Sequence, residues 1–238
     1  LDEAEDLYRE VIEINRGQPG GRLATIGHHL GNLSRIQAKR GSFAQAETLR
    51  KESCALTDQA LGASHWRSAR CRSHWGALLT EGGRYAEAEK LLIESHRVLQ
   101  ESLGPRHKVA EMTASRLAAL YETGQGVNQH RLEAIKWYRS CAESGNGSAM
   151  FRLAKIYGNA DEADNDPKRA ADYIFRALKA NEQQAKDEML AGAQTWSQSF
   201  REEFQKKLQA ENLYSGPIDG ILGSGTRQAI QIIAGENT

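Results

Sequence analysis

The chain has 238 residues, 39% hydrophobic and 26% charged, and its 31 basic and 31 acidic side chains cancel. That composition supplies a core for a globular protein and excludes the overall field that would gather nucleic acid or an anionic membrane surface. No apolar run approaches the roughly 18 to 20 residues of a spanning helix, and the acidic start Leu1-Asp2-Glu3 is unlike a secretion signal.

Along the first half the sequence repeats with a shift of 42 residues: Leu1-x-x-Ala4-Glu5-x-Leu7, Phe43-x-x-Ala46-Glu47-x-Leu49 and Tyr85-x-x-Ala88-Glu89-x-Leu91. The same shift carries Gly41 onto Gly83 and Leu61-Gly62-x-x-His65 onto Leu103-Gly104-x-x-His107, so loops recur together with helices. Each unit reads as two helices. The first carries apolar residues on one face (Leu30, Leu33 and Ile36; Trp75, Leu78 and Leu79), a glycine stops it, and the second begins at the aromatic. The small alanine of each second helix lets its neighbour approach closely.

These residues resemble the tetratricopeptide repeat of the kinesin-light-chain kind over residues 1–123. Two departures predict local distortion: Arg72 stands where an apolar residue usually begins the first helix, and Gly17 to Gly21 replace the first inter-repeat loop. Leu1 aligns with Phe43, inside a repeat. The expectation is therefore an excerpt of a longer chain, or a mature product cut from one.

After Tyr121 the period becomes 36: Leu117, Tyr121, Ala134, Trp137 and Cys141 recur as Leu153, Tyr157, Ala170, Tyr173 and Ala177. Gly124-Gln125-Gly126-Val127 with Glu133-Ala134-x-x-Trp137-Tyr138 and Ala142-Glu143-x-Gly145 is similar to the Sel1-like repeat over residues 110–180. In the second copy, Asn159 to Asp166 replace the glycine turn with an acidic loop.

Residues 181–197 carry a polar pattern and predict a connecting helix. Phe200, Phe204 and Leu208 then mark an amphipathic helix, Tyr214-Ser215-Gly216-Pro217-Ile218-Asp219-Gly220 is a dense turn signal, and Thr226 or Ser224 is placed to cap a final helix. Phe204-Gln205-x-x-Leu208 followed by Tyr214-x-Gly216-x-Ile218-Asp219-Gly220-x-x-Gly223-x-x-Thr226-x-x-Ala229-Ile230 resembles a peptidoglycan-binding domain over residues 198–238. The resemblance implies that this module holds cell-wall glycan and peptide, often for an attached hydrolase. The family continues further after this point than Ile230-Gln231-Ile232-Ile233 does here. The expected fold is all-α: a right-handed α-α superhelix followed by a small three-helix module.

Two sets of candidate residues follow. His28, Arg35, Lys39 and Arg70 lie on the concave face of the first helices, where a basic stripe selects acidic or carboxylate-bearing peptides; a merely solvated helix face accounts for the same charges. Tyr214, Asp219 and Thr226 are the candidates for peptidoglycan. Asp219 also fits as the self-bonding residue of an Asp-Gly turn, and Tyr214 as the residue closing a small core. His65 and His107 are repeat-equivalent and read as loop fasteners.

Cys54, Cys71 and Cys141, an odd number on separate helices, read as buried small hydrophobes with free thiols rather than a disulfide framework. Cys54, Cys71 and His74 fall short of the four ligands of a zinc site, so neither metal nor other cofactor is expected. No nucleophile elbow, zinc-protease motif or nucleotide-phosphate loop is present, so no catalytic residue is expected.

Together these features predict a bacterial protein-interaction scaffold, non-catalytic, that grips a partner peptide or domain in the solenoid groove. The C-terminal module would tether it to peptidoglycan in the periplasm or cell envelope. Two rivals stand beside it: the targeting portion of a larger enzyme, such as a protease or wall hydrolase encoded upstream, and a cytoplasmic signalling scaffold.

Overall fold

A computed structural model describes residues 2–18, 22–123, 131–159 and 165–235. Among them are twelve α-helices and no strand. No described helix is long and apolar enough to cross a membrane. Leu1, the end of the Gly17 to Gly21 loop, the Gly124 to Val127 turn and most of the Asn159 to Asp166 loop lie outside the described residues. The chain divides into two compact units, Leu1–Ala134 and Ile135–Thr238.

The first unit contains α1 (Asp2–Arg16), α2 (Leu23–Lys39), α3 (Phe43–Leu61), α4 (Trp66–Glu81), α5 (Tyr85–Leu103) and α6 (Lys108–Thr123). Each packs on its neighbours in sequence, and α4 also touches α6, which is the nearest-neighbour order of stacked hairpins. The 42-residue register is visible atom by atom. After α2, Ser42 N bonds Gln37 O and Gly41 N bonds Ala38 O; after α4, Arg84 N bonds Leu79 O and Gly83 N bonds Thr80 O. Both turns need a left-handed residue, supplied by Gly41 (φ 78°) and Gly83 (φ 77°). His65 and His107 fasten their loops as expected, each accepting at Nδ1 the backbone N–H two residues on, from Arg67 and Val109. Ala46 and Ala88 are fully buried, and so are Leu92, Leu99, Leu117 and Leu120.

Arg72 does not begin a helix. α4 starts at Trp66, and Arg72 lies within it, donating to both carboxylate oxygens of Asp58 (2.9 and 3.0 Å) and to Ala63 O, which places its charge over the preceding loop. The cysteine expectation also needs correction. Cys54 on α3 and Cys71 on α4, with Cα atoms 5.5 Å apart, form a disulfide, and the third cysteine, Cys141, is buried outside that bridge. Helix packing brings together two residues that composition alone left unpaired.

α7 (Arg131–Glu143) crosses the division between the units. The second unit continues with α8 (Gly147–Gly158), α9 (Pro167–Lys179), α10 (Gln183–Leu190), α11 (Gln198–Ala210) and α12 (Ser224–Ile233). α9 is its hub, packing against α8, α10, α11 and α12. The Tyr157 and Tyr173 rings stack, and Trp196, Phe200 and Phe204 form a second stack. Residues 181–197 are not one connecting helix: α10 ends at Leu190, Ala193 takes φ 49°, and Trp196 is buried against Gly158. A Cβ at Gly158 would lie 2.3 Å from the indole, so the glycine is what lets Trp196 in.

Candidate functional site

Three helices of the first unit form a trough of about 540 Å³, with α2 and α4 as walls and α3 as floor. His28, Arg35 and Asn32 line it from α2, Arg50, Ser53 and Thr57 from α3, and Trp66, Arg67, Arg70 and His74 from α4. Among the described residues no carboxylate lines it. Of the basic stripe expected from sequence, His28, Arg35 and Arg70 come together here; Lys39, exposed in the last turn of α2, is not among the lining residues.

Arg50, which sequence analysis did not single out, forms the floor. It is 9% exposed, its Nη2 donates to Gly31 O (2.7 Å), and its Nε is buried without a partner. Two glycines one turn apart on α2 make room. A Cβ at Gly27 would lie 2.7 Å from Thr57 Oγ1, and one at Gly31 would lie 2.8 Å from Arg50 Nη1. Glycine inside a helix costs about 1 kcal/mol relative to alanine, so α2 gives up helix stability for this close approach. The signal was present in the repeat: Arg50 occupies the register position of Leu92, which is fully buried.

The electrostatics are those of crowded cations. Burial, then Arg116 and Arg35, lower the Arg50 guanidinium to about 10, which leaves it charged at neutral pH. Burial, then Arg116, Arg50, Arg70 and Arg35, lower His74 to about 3. Burial and the neighbouring His29, Arg70, Arg35 and Arg67 also lower His28. Arg116, on α6, donates to Ser73 Oγ (2.7 Å) and to His74 Nδ1 (3.0 Å). A guanidinium only donates, so His74 Nδ1 is the acceptor and the neutral ring carries its proton on Nε2. Arg67 and Arg70 both lie over the Trp66 ring, at 5.3 and 5.5 Å from its centroid. The disulfide ties floor to wall, and Ser53 Oγ lies 3.4 Å from Cys71 Sγ, beside Gly27 O. With both sulfurs bonded to each other, Cys54 and Cys71 are not available beside His74 as thiolate ligands.

Comparison with known proteins agrees with the helical-repeat fold. The tetratricopeptide repeat family matches residues 68–107. The crystal structure of BtubC (BKLC) from P. vanneervenii is similar at 14% identity, covering 98% of this chain and 85% of that one, with a TM-score of 0.59. A crystal structure of nearly identical TPR-like repeats from a Podosopora anserina kinesin light chain, in a point-substituted form, aligns at 16% identity over 88% of this chain and 91% of that one, TM-score 0.56. The chain is a helical-repeat protein. A Sel1 repeat protein from Oxalobacter formigenes aligns at 14% identity over 98% of this chain and 99% of that one, with a TM-score of 0.48. None of the curated proteins matches the sequence.

In the second unit two of the C-terminal candidates, Tyr214 and Asp219, meet Gln205, a fully buried residue that the sequence motif contained without revealing its role. Gln205 Oε1 accepts from Asp219 N (3.0 Å) and Gly220 N (2.8 Å), while its Nε2 donates to Asp219 Oδ1 (2.9 Å) and Ile221 O (3.1 Å). Asp219 Oδ1 also accepts from Ile221 N, so this carboxylate holds the turn, and these bonds lower its pKa. Tyr214 OH donates to Pro217 O (2.9 Å). Neither Thr226 nor Ser224 caps α12: Gly223 is at the N-cap with no side-chain bond, and Thr226 is 1% exposed with its hydroxyl buried and unpartnered.

Proposed function

We propose that the chain is a non-catalytic protein-interaction scaffold whose first repeats hold an acidic segment of a partner protein in the trough between α2, α3 and α4. The helical-repeat fold suggests a protein partner, and one observation carries the finer reading. Four arginines from three helices line a trough with no carboxylate among its described lining residues, and the buried Arg50 beneath them is left for an acidic ligand to pair. His28 adds a ring on the wall, and Lys39, beyond the trough on α2, extends the basic stripe for a longer segment.

Anisotropy of a labelled oligoglutamate peptide tests this. Saturable binding that weakens with salt is expected, with a loss of at least about tenfold in the charge reversal Arg35→Glu/Arg70→Glu. Unchanged affinity in that variant would remove the trough as the binding surface.

A second reading concerns the C-terminal segment, residues 198–234, as a peptidoglycan tether at the cell envelope. Its support is the spacing of Tyr214, Asp219 and Thr226 and the exposure of Ile221 (68%) beside the Gln205-held turn. Asp219 then holds the turn and Thr226 is buried in α12, while Tyr214 and Ile221 meet the wall. The Cys54–Cys71 bridge favours an oxidising compartment and so supports periplasm over cytoplasm. Sedimentation with insoluble peptidoglycan, compared with Tyr214→Ala/Ile221→Ser, checks it: loss in the variant supports the tether, and equal or absent sedimentation of both refutes it.

A further inference from the structure

We propose that the trough floor contains a discrete oxyanion site, centred on Arg50, that takes a phosphoryl group carried by the ligand. This rests on the reading of the trough as the ligand surface and names the chemistry at its base.

Three observations converge. Arg50 replaces the buried leucine of the repeat register, is itself nine-tenths buried, and lines the trough with its Nε buried and unpartnered, while no acid is among the described lining residues. Its seat is built, since Gly31 has no side chain where a Cβ would meet Nη1 at 2.8 Å. Several guanidiniums elsewhere in this unit meet carboxylates, as Arg72 meets Asp58 and Arg84 meets Glu47, but Arg35, Arg50, Arg67 and Arg70 make no ion pair among the described residues.

The remaining lining is donor-rich. Arg116 fixes His74 with its proton on Nε2, so the ring is a neutral donor across ordinary pH. Ala24 and Thr25 belong to the first turn of α2, and Trp66 and Arg67 to that of α4, so both helices turn their positive ends to one side of the trough. A carboxylate brings one charge and two coplanar oxygens. A phosphoryl group brings nearly two charges and three oxygens spread about a tetrahedral centre, and so matches guanidinium forks arriving from three helices. A trough of about 540 Å³ also has room for the residue or small molecule that bears the phosphate.

Calorimetric titration of the full chain with inorganic phosphate, pyrophosphate and acetate at fixed ionic strength is the test. Phosphate or pyrophosphate is expected to bind with Kd below about 1 mM and acetate at least about tenfold more weakly. Arg50→Lys keeps the charge but removes the fork, and should weaken phosphate about tenfold. Arg35→Gln/Arg70→Gln, altered only on the trough walls, should do the same and keeps the test decisive if the Arg50 variant fails to fold by circular dichroism. Phosphate binding no tighter than acetate, or unchanged in the wall variant, overturns the site.

Oligoglutamate separates the two levels of the claim. If it binds while phosphate does not, only the oxyanion site fails; if neither binds, the acidic-segment reading fails as well. Where phosphate does bind, an acidic peptide with phosphoserine is compared with one having glutamate at that position. Tighter binding of the phosphopeptide assigns the phosphoryl group to a partner's side chain. Equal binding assigns it to a small phosphorylated molecule.

Discussion

The 42-residue register puts Arg50 on α3 and Leu92 on α5 at the same point of two successive hairpins, and the two surroundings differ. Leu92 is fully buried against Gly76, where a Cβ would lie 2.7 Å from Leu92 Cγ. Arg50 sits against Gly31 and lines a trough in which no carboxylate is among the described lining residues. Both hairpins keep the same turns, so the backbone is set by what they share: the alanines, the left-handed glycines and the histidine-fastened loops. A repeat position that the fold needs apolar in one copy is released for binding in the other.

The sharpest way to break this comparison is at the two positions themselves. Leu92→Ala should destabilise the protein by about 2–5 kcal/mol, measured by urea unfolding, because it deletes a fully buried side chain and leaves a cavity. Arg50→Leu should leave stability unchanged or raise it by up to about 4 kcal/mol, since removing a buried unpaired charge relieves desolvation. A loss on the scale of Leu92→Ala at Arg50 would mean that both positions are core.

Next in size is the bridge between floor and wall. Cys54→Ser/Cys71→Ser opens a link between residues 17 apart and should cost about 3 kcal/mol, measured under oxidising conditions against the parent. Gly31→Ala comes below it. Overpacking against the guanidinium costs about 1–3 kcal/mol, and about 1 kcal/mol of regained helix propensity offsets part of that. Oligoglutamate affinity should fall with it, because the new methyl displaces Arg50. Gly223→Ala, at the N-cap of α12, meets nothing within 4 Å and should cost only about 0.5–1 kcal/mol through the lost cap preference.

Near neutral pH the smallest effect is that of His74 protonation, and it grows in acid. His74 is held neutral in the fold and is lowered to about 3, whereas in the unfolded chain it titrates near its ordinary value of 6.5. Between those values the unfolded state binds the extra proton, so stability falls as pH drops from 6.5 towards 3 and is fully present above 6.5. His74→Gln should flatten that part of the pH–stability curve.

The recurrent features were legible in the sequence because they repeat: the hairpins, the turn glycines, and the histidines of the loops. His28, Arg35 and Arg70 were legible as a stripe because helical spacing places them on the first helices. Arg50 was hidden, because a charge on a second helix reads as solvated surface until the register sets it beside Leu92. The disulfide was hidden for a related reason, since Cys54 and Cys71 become neighbours only when α3 and α4 pack. In the second unit, motif spacing located the Asp-Gly turn but did not reveal that Gln205, buried beneath it, makes four hydrogen bonds to its backbone and carboxylate.

The most direct test is one preparation of Arg50→Leu carried through two measurements, thermal unfolding and oligoglutamate anisotropy. The account predicts a midpoint equal to or above the parent's together with an affinity reduced at least about tenfold. A lowered midpoint with unchanged affinity would contradict it and return Arg50 to a structural role.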